Sequence, residues 1–371
     1  MRLDKVCRIT MGQAPSGDSY NFDGNGLALI AGAGDLGKET PEPKKYTTAA
    51  GKRSEEGEII LCIRATIGDL NWSDKEYCLG RGVAGLFGHK AKLDQKYLWH
   101  WLKNVALLLK SKGKGATFLQ VTKEAICSLE IPLPPLSEQR RIASILDQAD
   151  ELRQKRQQAI EKLDQLLQAT FIDMFGDPVS NPKGWDKKLL SGLVTIDAPL
   201  VEPMEKEFEN LLHYGPDRIS KDSGKLLPAL TAKEDMLISK KFLCDDRHIL
   251  YSKIRPYLNK VAMVQEKCLC SADVYPVEPK SQLTKHFLWH ILRSKSFLDH
   301  AETFSNRANI PKINRNQFLQ YECIVPTMEV QQKFENISKD IQRQIDFQNL
   351  SLESIEKLFN SLQQKAFSET L

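Results

Sequence analysis

The side chains of this sequence that could do chemistry are mostly cationic, and the motifs that would make it an enzyme fail on their context. Gly32-Ala33-Gly34-Asp35-Leu36-Gly37 fits the spacing GxGxxG, which in a dinucleotide site turns the amino end of a helix toward a pyrophosphate. Pro41 and Pro43 follow too soon for a helix to open there, so the spacing is a decoy. There is no Walker loop, HExxH or GxSxG. Asn181-Pro182-Lys183-Gly184 is the nearest approach to the [DNS]PP[FYW] tetrapeptide of amino-methyltransferases, and it lacks the second proline and the aromatic. Pro216-Asp217 has no acidic-x-Lys partner downstream, which leaves a restriction-type nuclease core unsupported. The 7 His take no metal spacing, and of the 8 Cys only Cys268 and Cys270 lie close together. Reduced, buried thiols are expected, with neither a zinc site nor a disulfide framework. His100 and His290 fall inside apolar helices, where a hydrogen-bonded structural role is expected. No catalytic residue, metal or cofactor is expected in the chain itself.

The cationic residues that stand in loops or at strand ends are Lys44, Lys45, Lys52, Arg53, Arg64, Arg81, Lys112 and Lys114, then Arg218, Lys221, Lys253, Arg255, Arg307 and Lys312. Lysine suits phosphates, and arginine can also fork onto guanine O6 and N7. Any one of them is ordinary solvated surface when taken alone. The set gains weight from recurrence, because Ile63-Arg64 returns as Ile254-Arg255 and the loop at Gly115 returns at Arg307. The net charge of +4 combines a small basic surplus in two globular stretches with a small acidic surplus in the helices between and after them, a balance compatible with DNA binding.

Two long helices must position those stretches. Behind Pro132, Pro134 and Pro135, Ser137 can accept from free amides, and Ile142, Ile145, Ala149, Leu152, Ala159, Leu163 and Leu166 then recur at helical steps. Gly176 and Pro178 end the run. About 40 residues at roughly 1.5 Å each give a rod of about 60 Å, longer than one core needs. The stripe is also wider than a two-helix seam uses. Leu146, Ile160, Leu167 and Phe171, with Phe347, Leu358 and Phe367 in the second helix, are therefore expected to dock a partner. The stretch repeats near the C-terminus without a gap, Pro134 falling on Pro326, Gln139 on Gln331, Ile145 on Ile337 and Phe175 on Phe367. Tyr97-Leu98-Trp99-His100 likewise returns as Phe287-Leu288-Trp289-His290, and Cys78-Leu79 as Cys268-Leu269. The chain is a duplicated unit, a globular domain followed by a long helix, twice. If the two stripes bury each other the helices run antiparallel, with the domains at opposite ends.

At 371 residues and 41% hydrophobic content each half can bury its own core. The start has no apolar core of signal-peptide length, and no 18-residue apolar run occurs. A cytoplasmic location without membrane contact is expected. The fold class expected is α/β (α+β), each half with a curved, largely antiparallel sheet. Residues 1–133 would form the first domain, 134–178 the first long helix, 179–325 the second domain and 326–371 the second helix. Strands are expected over 3–11, 27–30, 59–63, 190–196 and 248–254, and helices over 97–109 and 285–298.

Proline-rich exit, Ser137-Glu138-Gln139-Arg140-Arg141-Ile142, long helix, Phe175-Gly176-Asp177-Pro178, then Asn181-Pro182-Lys183-Gly184-Trp185 and a second copy together resemble the specificity subunit of type I restriction-modification systems. The resemblance covers essentially the whole chain. It implies two target recognition domains, each reading half of a split site in double-stranded DNA. It implies two modification (methyltransferase) subunits docked on the helices and holding the S-adenosylmethionine, with ATP-dependent restriction subunits beyond them. The second helix departs from the pattern with Met328-Glu329-Val330-Gln331-Gln332. A coiled-coil adaptor with two protein-binding domains is the competing reading, and an enzyme the third.

Overall fold

The computed structural model describes residues 1–115, 119–305 and 310–368. The chain divides by compactness into two units, Met1–Gln158 with Asn349–Leu371, and Ala159–Gln348. Both long helices, Leu136–Phe175 and Met328–Phe367, are therefore shared, each giving one part of its length to each unit.

In the first unit the unbroken apolar run Ile59–Cys62 is buried at all four positions, as an inner strand requires. It pairs antiparallel with Val83–Gly88 on one side and Leu70–Trp72 on the other, and Cys7–Met11 closes the sheet beyond Val83–Gly88. A second four-stranded sheet has the order Tyr20–Asn21, Lys45–Thr47, Leu27–Ile30, Cys78–Leu79, its last pair parallel. Leu3, Val6, Leu86, Trp101 and Leu102 meet Ile142 and Leu146 of the first long helix and Phe359 of the second in one core. Asp94 starts the helix Gln95–Asn104 by accepting from the amides of Lys96 and Tyr97. The helix expected over 97–109 is broken at Val105 and resumes as Ala106–Ser111.

The second unit repeats this plan with Val194–Ile196, Val274–Pro279, Ile249–Ser252 and Val261–Met263. Its second sheet keeps the parallel pair, now His213–Tyr214 with Cys268–Cys270, but grows on the other flank through Lys241–Cys244 and Leu200–Val201. The pairing is largely antiparallel, as expected, with one parallel pair in each half, but it is divided between two four-stranded sheets, and the second unit adds a two-stranded one, Asp186–Leu189 with Glu322–Val325. The run 190–196, read as a strand, begins with a helical turn, Leu190–Leu193. Its counterpart 3–11 begins with the 3-10 turn Leu3–Lys5. The helix expected over 285–298 is Lys285–Arg293 and Lys295–Ser305, parted at Ser294.

The first long helix starts at Leu136, one residue ahead of Ser137. The Pro135 carbonyl takes the amides of Glu138 and Gln139, so Ser137 is not the cap. It stops where expected. Gly176 holds φ +77, and a Cβ there would sit 2.7 Å from Pro182 Cγ, a left-handed terminus that favours glycine.

What fastens the helix to its domain is a buried glutamine. Gln139 Oε1 accepts from the Asp94 amide at 2.9 Å, and its Nε2 donates to the carbonyls of Lys92 and Pro134 at 2.9 Å each. Gln331 makes the same three bonds in the second unit, to the Thr284 amide at 2.9 Å and the carbonyls of Gln282 and Pro326 at 3.0 and 2.8 Å. Both are fully buried, so every polar atom must find a partner there. The motif read as Ser-Glu-Gln is a docking peg whose working residue is the glutamine.

Candidate nucleic-acid interface

The innermost strand of each unit delivers a loop to the surface. In the first unit Ile63 follows the strand, its carbonyl accepting from the Val121 amide at 3.0 Å, and the half-buried Arg64 and the exposed Ala65 and Thr66 come next. Lys114 and Gln120 pair through their backbones alongside, and Arg64 bridges to Gln120. In the second unit Lys253 plays the part of Ile63, its carbonyl accepting from the Ile313 amide at 3.0 Å. This corrects the equivalence of Arg64 with Arg255. The structural counterpart of Arg64 is Ile254, and Arg255 stands where Ala65 does, both in the left-handed region at φ +48 and +57. The sequence match Ile-Arg is out by one residue, because the strands Ile59–Cys62 and Ile249–Ser252 correspond residue for residue and the dipeptide stands one position later behind the second.

The cations fall into two groups. Arg53 pairs with Glu76 at 3.2 Å, Arg218 with Asp217 at 3.1 Å and the Pro228 carbonyl at 2.8 Å, and Lys221 with Asp222 at 3.7 Å. Lys253 is half-buried, donating to the Ala272 carbonyl at 2.8 Å and standing 3.3 Å from Asp273. These four are held by their own unit. Lys45 lies over the Phe22 ring at 5.8 Å, and Lys44 and Lys52 are exposed. Arg64 and Arg81 in the first unit, and Arg255 in the second, have no acidic partner among the described residues. Lys114 and Lys312 are exposed beside them, and Lys112 is half-buried. Arg307 lies outside the described residues, and so does its comparison with Gly115.

A hairpin of the second unit carries Lys221 and is firmly seated. Gly224 (φ +70) packs so close to Trp289 that a Cβ would come 2.4 Å from the ring, and Arg293 lies over that ring at 4.2 Å while donating to the Asp222 carbonyl at 2.6 Å. Burial lowers the pKa of Lys225, against the pull of Asp164 and Asp346, and burial raises that of Asp164. The hairpin is thereby coupled to the helix residues that belong to the same unit.

On the long helices the docking residues need correction. Leu146, Ile160, Leu167 and Phe171 are buried within the chain, so they are not spare surface. Leu146 belongs to the first unit's core, and Phe171 stacks among Phe175, Phe287 and Phe334 with ring centroids 4.8, 5.6 and 5.4 Å away. Phe367 packs on Tyr97 at 5.3 Å. The stripe looked too wide because the domain, besides the other helix, covers part of it. Phe347 and Leu358 are exposed as expected, and Leu152 and Leu350 in the first unit and Leu166 and Ile172 in the second join them.

The model of the type I restriction modification DNA specificity domain matches residues 1–162 and again 182–357. This chain belongs to the type I restriction-modification specificity-subunit family. It is 36% identical over 162 residues to a putative type I restriction enzyme MjaX specificity subunit of Methanocaldococcus jannaschii, spanning 43% of this chain and 38% of that one. It is 25% identical over 318 residues to the EcoDI specificity subunit of Escherichia coli, spanning 74% and 70%. Among solved structures, the S subunit of a type I system from M. genitalium superposes with a TM-score of 0.64 at 15% identity, covering 100% of this chain and 96% of that one. A chain from a study of type I complex assembly and conformational transition superposes at 0.53, also at 15% identity. The last two speak for the fold alone. No helix among the described residues is long and apolar enough to cross a membrane.

Proposed function

We propose that each unit reads one half of a split site in double-stranded DNA, and that the chain is the non-catalytic recognition subunit of a methyltransferase and restriction complex. The observation that carries this is the repeated loop behind the buried strand. It carries Arg64 in one unit and Arg255 in the other, beside the exposed Lys114 and Lys312, and Arg81 joins Arg64 from the turn at 80–82; none of the three arginines has an acidic partner among the described residues. Unpaired guanidinium groups next to lysines can serve both base edges and phosphates. Modification subunits dock on the exposed apolar residues of the long helices, Leu152, Leu350 and Leu358 in the first unit and Leu166, Ile172 and Phe347 in the second. They bring the S-adenosylmethionine, and restriction subunits join through them. The test is the binding of duplex DNA by the full chain across a salt series. Affinity falling steeply as salt rises, as release of counterions from several phosphates demands, is the expected result; no binding to DNA of any sequence contradicts it.

A further inference from the structure

In the first unit a cleft of about 330 Å³ opens between the loop after Leu27–Ile30, the turn at 80–82 and the loop after Ile59–Cys62. Its lining is mostly small or apolar, with Pro15, Leu29, Ala31 and Ala65 in it, and Tyr20, Arg64 and Arg81 complete it. Arg64 Nε is closed off from solvent and has no hydrogen-bond partner among the described residues. A donor closed to water is closed to a ligand as well, so Arg64 would meet a ligand through its two Nη groups, whose fork matches two neighbouring acceptors.

The cleft is rigid. The Gly80 amide donates to the Ile30 carbonyl at 2.8 Å and the Gly82 amide to the Ala31 carbonyl at 3.0 Å. The backbones lie so close that a Cβ on Gly82 would be 2.2 Å from the Ala31 oxygen. Ala65 holds φ +57, strain that persists only where the surroundings fix it.

The lining selects among ligands. A phosphate would want free loop amides, but those of Ala31 and Gly32 already donate to Asp35 Oδ2, at 2.8 and 3.3 Å, and a carboxylate on that loop repels an anion. Small and apolar walls beside two arginines suit the edge of a neutral base that carries acceptors. Of the base edges in the major groove, guanine offers two neighbouring acceptors, O6 and N7, whereas adenine sets its N6 donor against the guanidinium.

We propose that this cleft reads a guanine in the half-site of the first unit, with Arg64 as the residue that selects it and Arg81 on a flanking phosphate. The proposal rests on the DNA-recognition reading above. It is specific to the first unit, because the counterpart of Arg64 in the second is Ile254.

The test selects bound sites from a pool of random duplex DNA with the full chain assembled with its modification subunits. It compares the parent with Arg64→Ala and Arg64→Lys. The expected parent motif has a guanine in one half. Arg64→Ala lowers discrimination at that position by roughly 5- to 150-fold. Arg64→Lys, which keeps the charge and loses the planar fork, lowers it by less, since an ammonium can still donate to O6 and N7. The other half-site stays unchanged and reports that the chain is folded. Should Arg64→Ala fail to assemble, the lysine variant alone decides. A parent motif without guanine in either half, or variants that weaken binding uniformly with the guanine preference kept, overturns the proposal. A parent that selects no sequence at all overturns the DNA-recognition reading beneath it instead.

Discussion

The two units fasten a long helix to a domain with the same peg and different seams. Both use a buried glutamine on three backbone groups. Around it the first unit is ionic. Lys96 and His100 reach Asp147 at 2.6 and 2.8 Å, and Asp150 takes Lys103 at 3.2 Å and Arg153 at 2.6 Å. The second unit is aromatic, Phe171, Phe175, Phe287, His290 and Phe334 packing ring on ring. The backbone groups that the glutamine satisfies are present in any sequence of this fold, whereas the space beside it can be filled by charge or by rings. After duplication the peg stayed and the filling diverged.

Removing the peg should cost most. Gln139→Leu and Gln331→Leu each leave one amide and two carbonyls buried without a partner, at about 1–3 kcal/mol per group. Each should lower stability chiefly in its own unit, as hydrogen exchange of that unit's amides would report. Equal loosening of both units by either variant would show that the peg is not local.

Phe171→Ala comes next, at about 3–5 kcal/mol, and should loosen the second unit while leaving the first protected. Salt should not alter that loss, since no charge is involved.

Acid should separate the seams further. Burial depresses the pKa of His286 to about 4 and that of His290 to about 3, from 6.5. The unfolded chain therefore takes up protons that the folded one refuses, and the second unit loses stability as pH falls from about 6.5 toward 3. For His286 the loss is on the order of 3 kcal/mol. Burial also lowers His100 in the first unit. There the carboxylates add a second loss. Burial raises Asp147, but its bonds from Lys96 and His100 outweigh that and hold it low. Asp150 behaves likewise with Lys103 and Arg153. Their contribution is present above the ordinary carboxylate range and disappears as pH falls through the lowered values. Between about pH 6.5 and pH 5, hydrogen exchange should show the second unit, with two depressed histidines, losing more protection than the first, with one; the same profile in both would break the contrast.

Asp147→Asn should have the smallest effect. Its side chain is 36% exposed, so water screens the pair and roughly 0–1 kcal/mol is expected, shrinking in high salt.

Much of the architecture is legible in the sequence. The repeat, the helix ending at Gly176, the inner strands and the failure of the GxGxxG run all follow from periodicity and from proline and glycine chemistry. In the fold that run is only a three-residue turn, Ala33–Asp35. The rest needed partners distant in sequence. Nothing near Gln139 announces that it binds Lys92 and Asp94, and nothing near Leu167 or Phe171 says that a domain covers part of the stripe. The cations were legible as types but not as contacts: Arg53, Arg218 and Lys253 read like Arg64 until their acids and carbonyls are seen. The one-residue offset between Arg64 and Arg255 was hidden because an identical dipeptide aligned in the wrong register.

The central claim is that two similar units read two separate half-sites, and the most direct measurement is the motif methylated in cells carrying this chain or its Arg255→Ala variant. The account predicts a split motif whose one half relaxes in the variant while the other keeps its sequence. A contiguous motif, or a variant that alters both halves together, would contradict it.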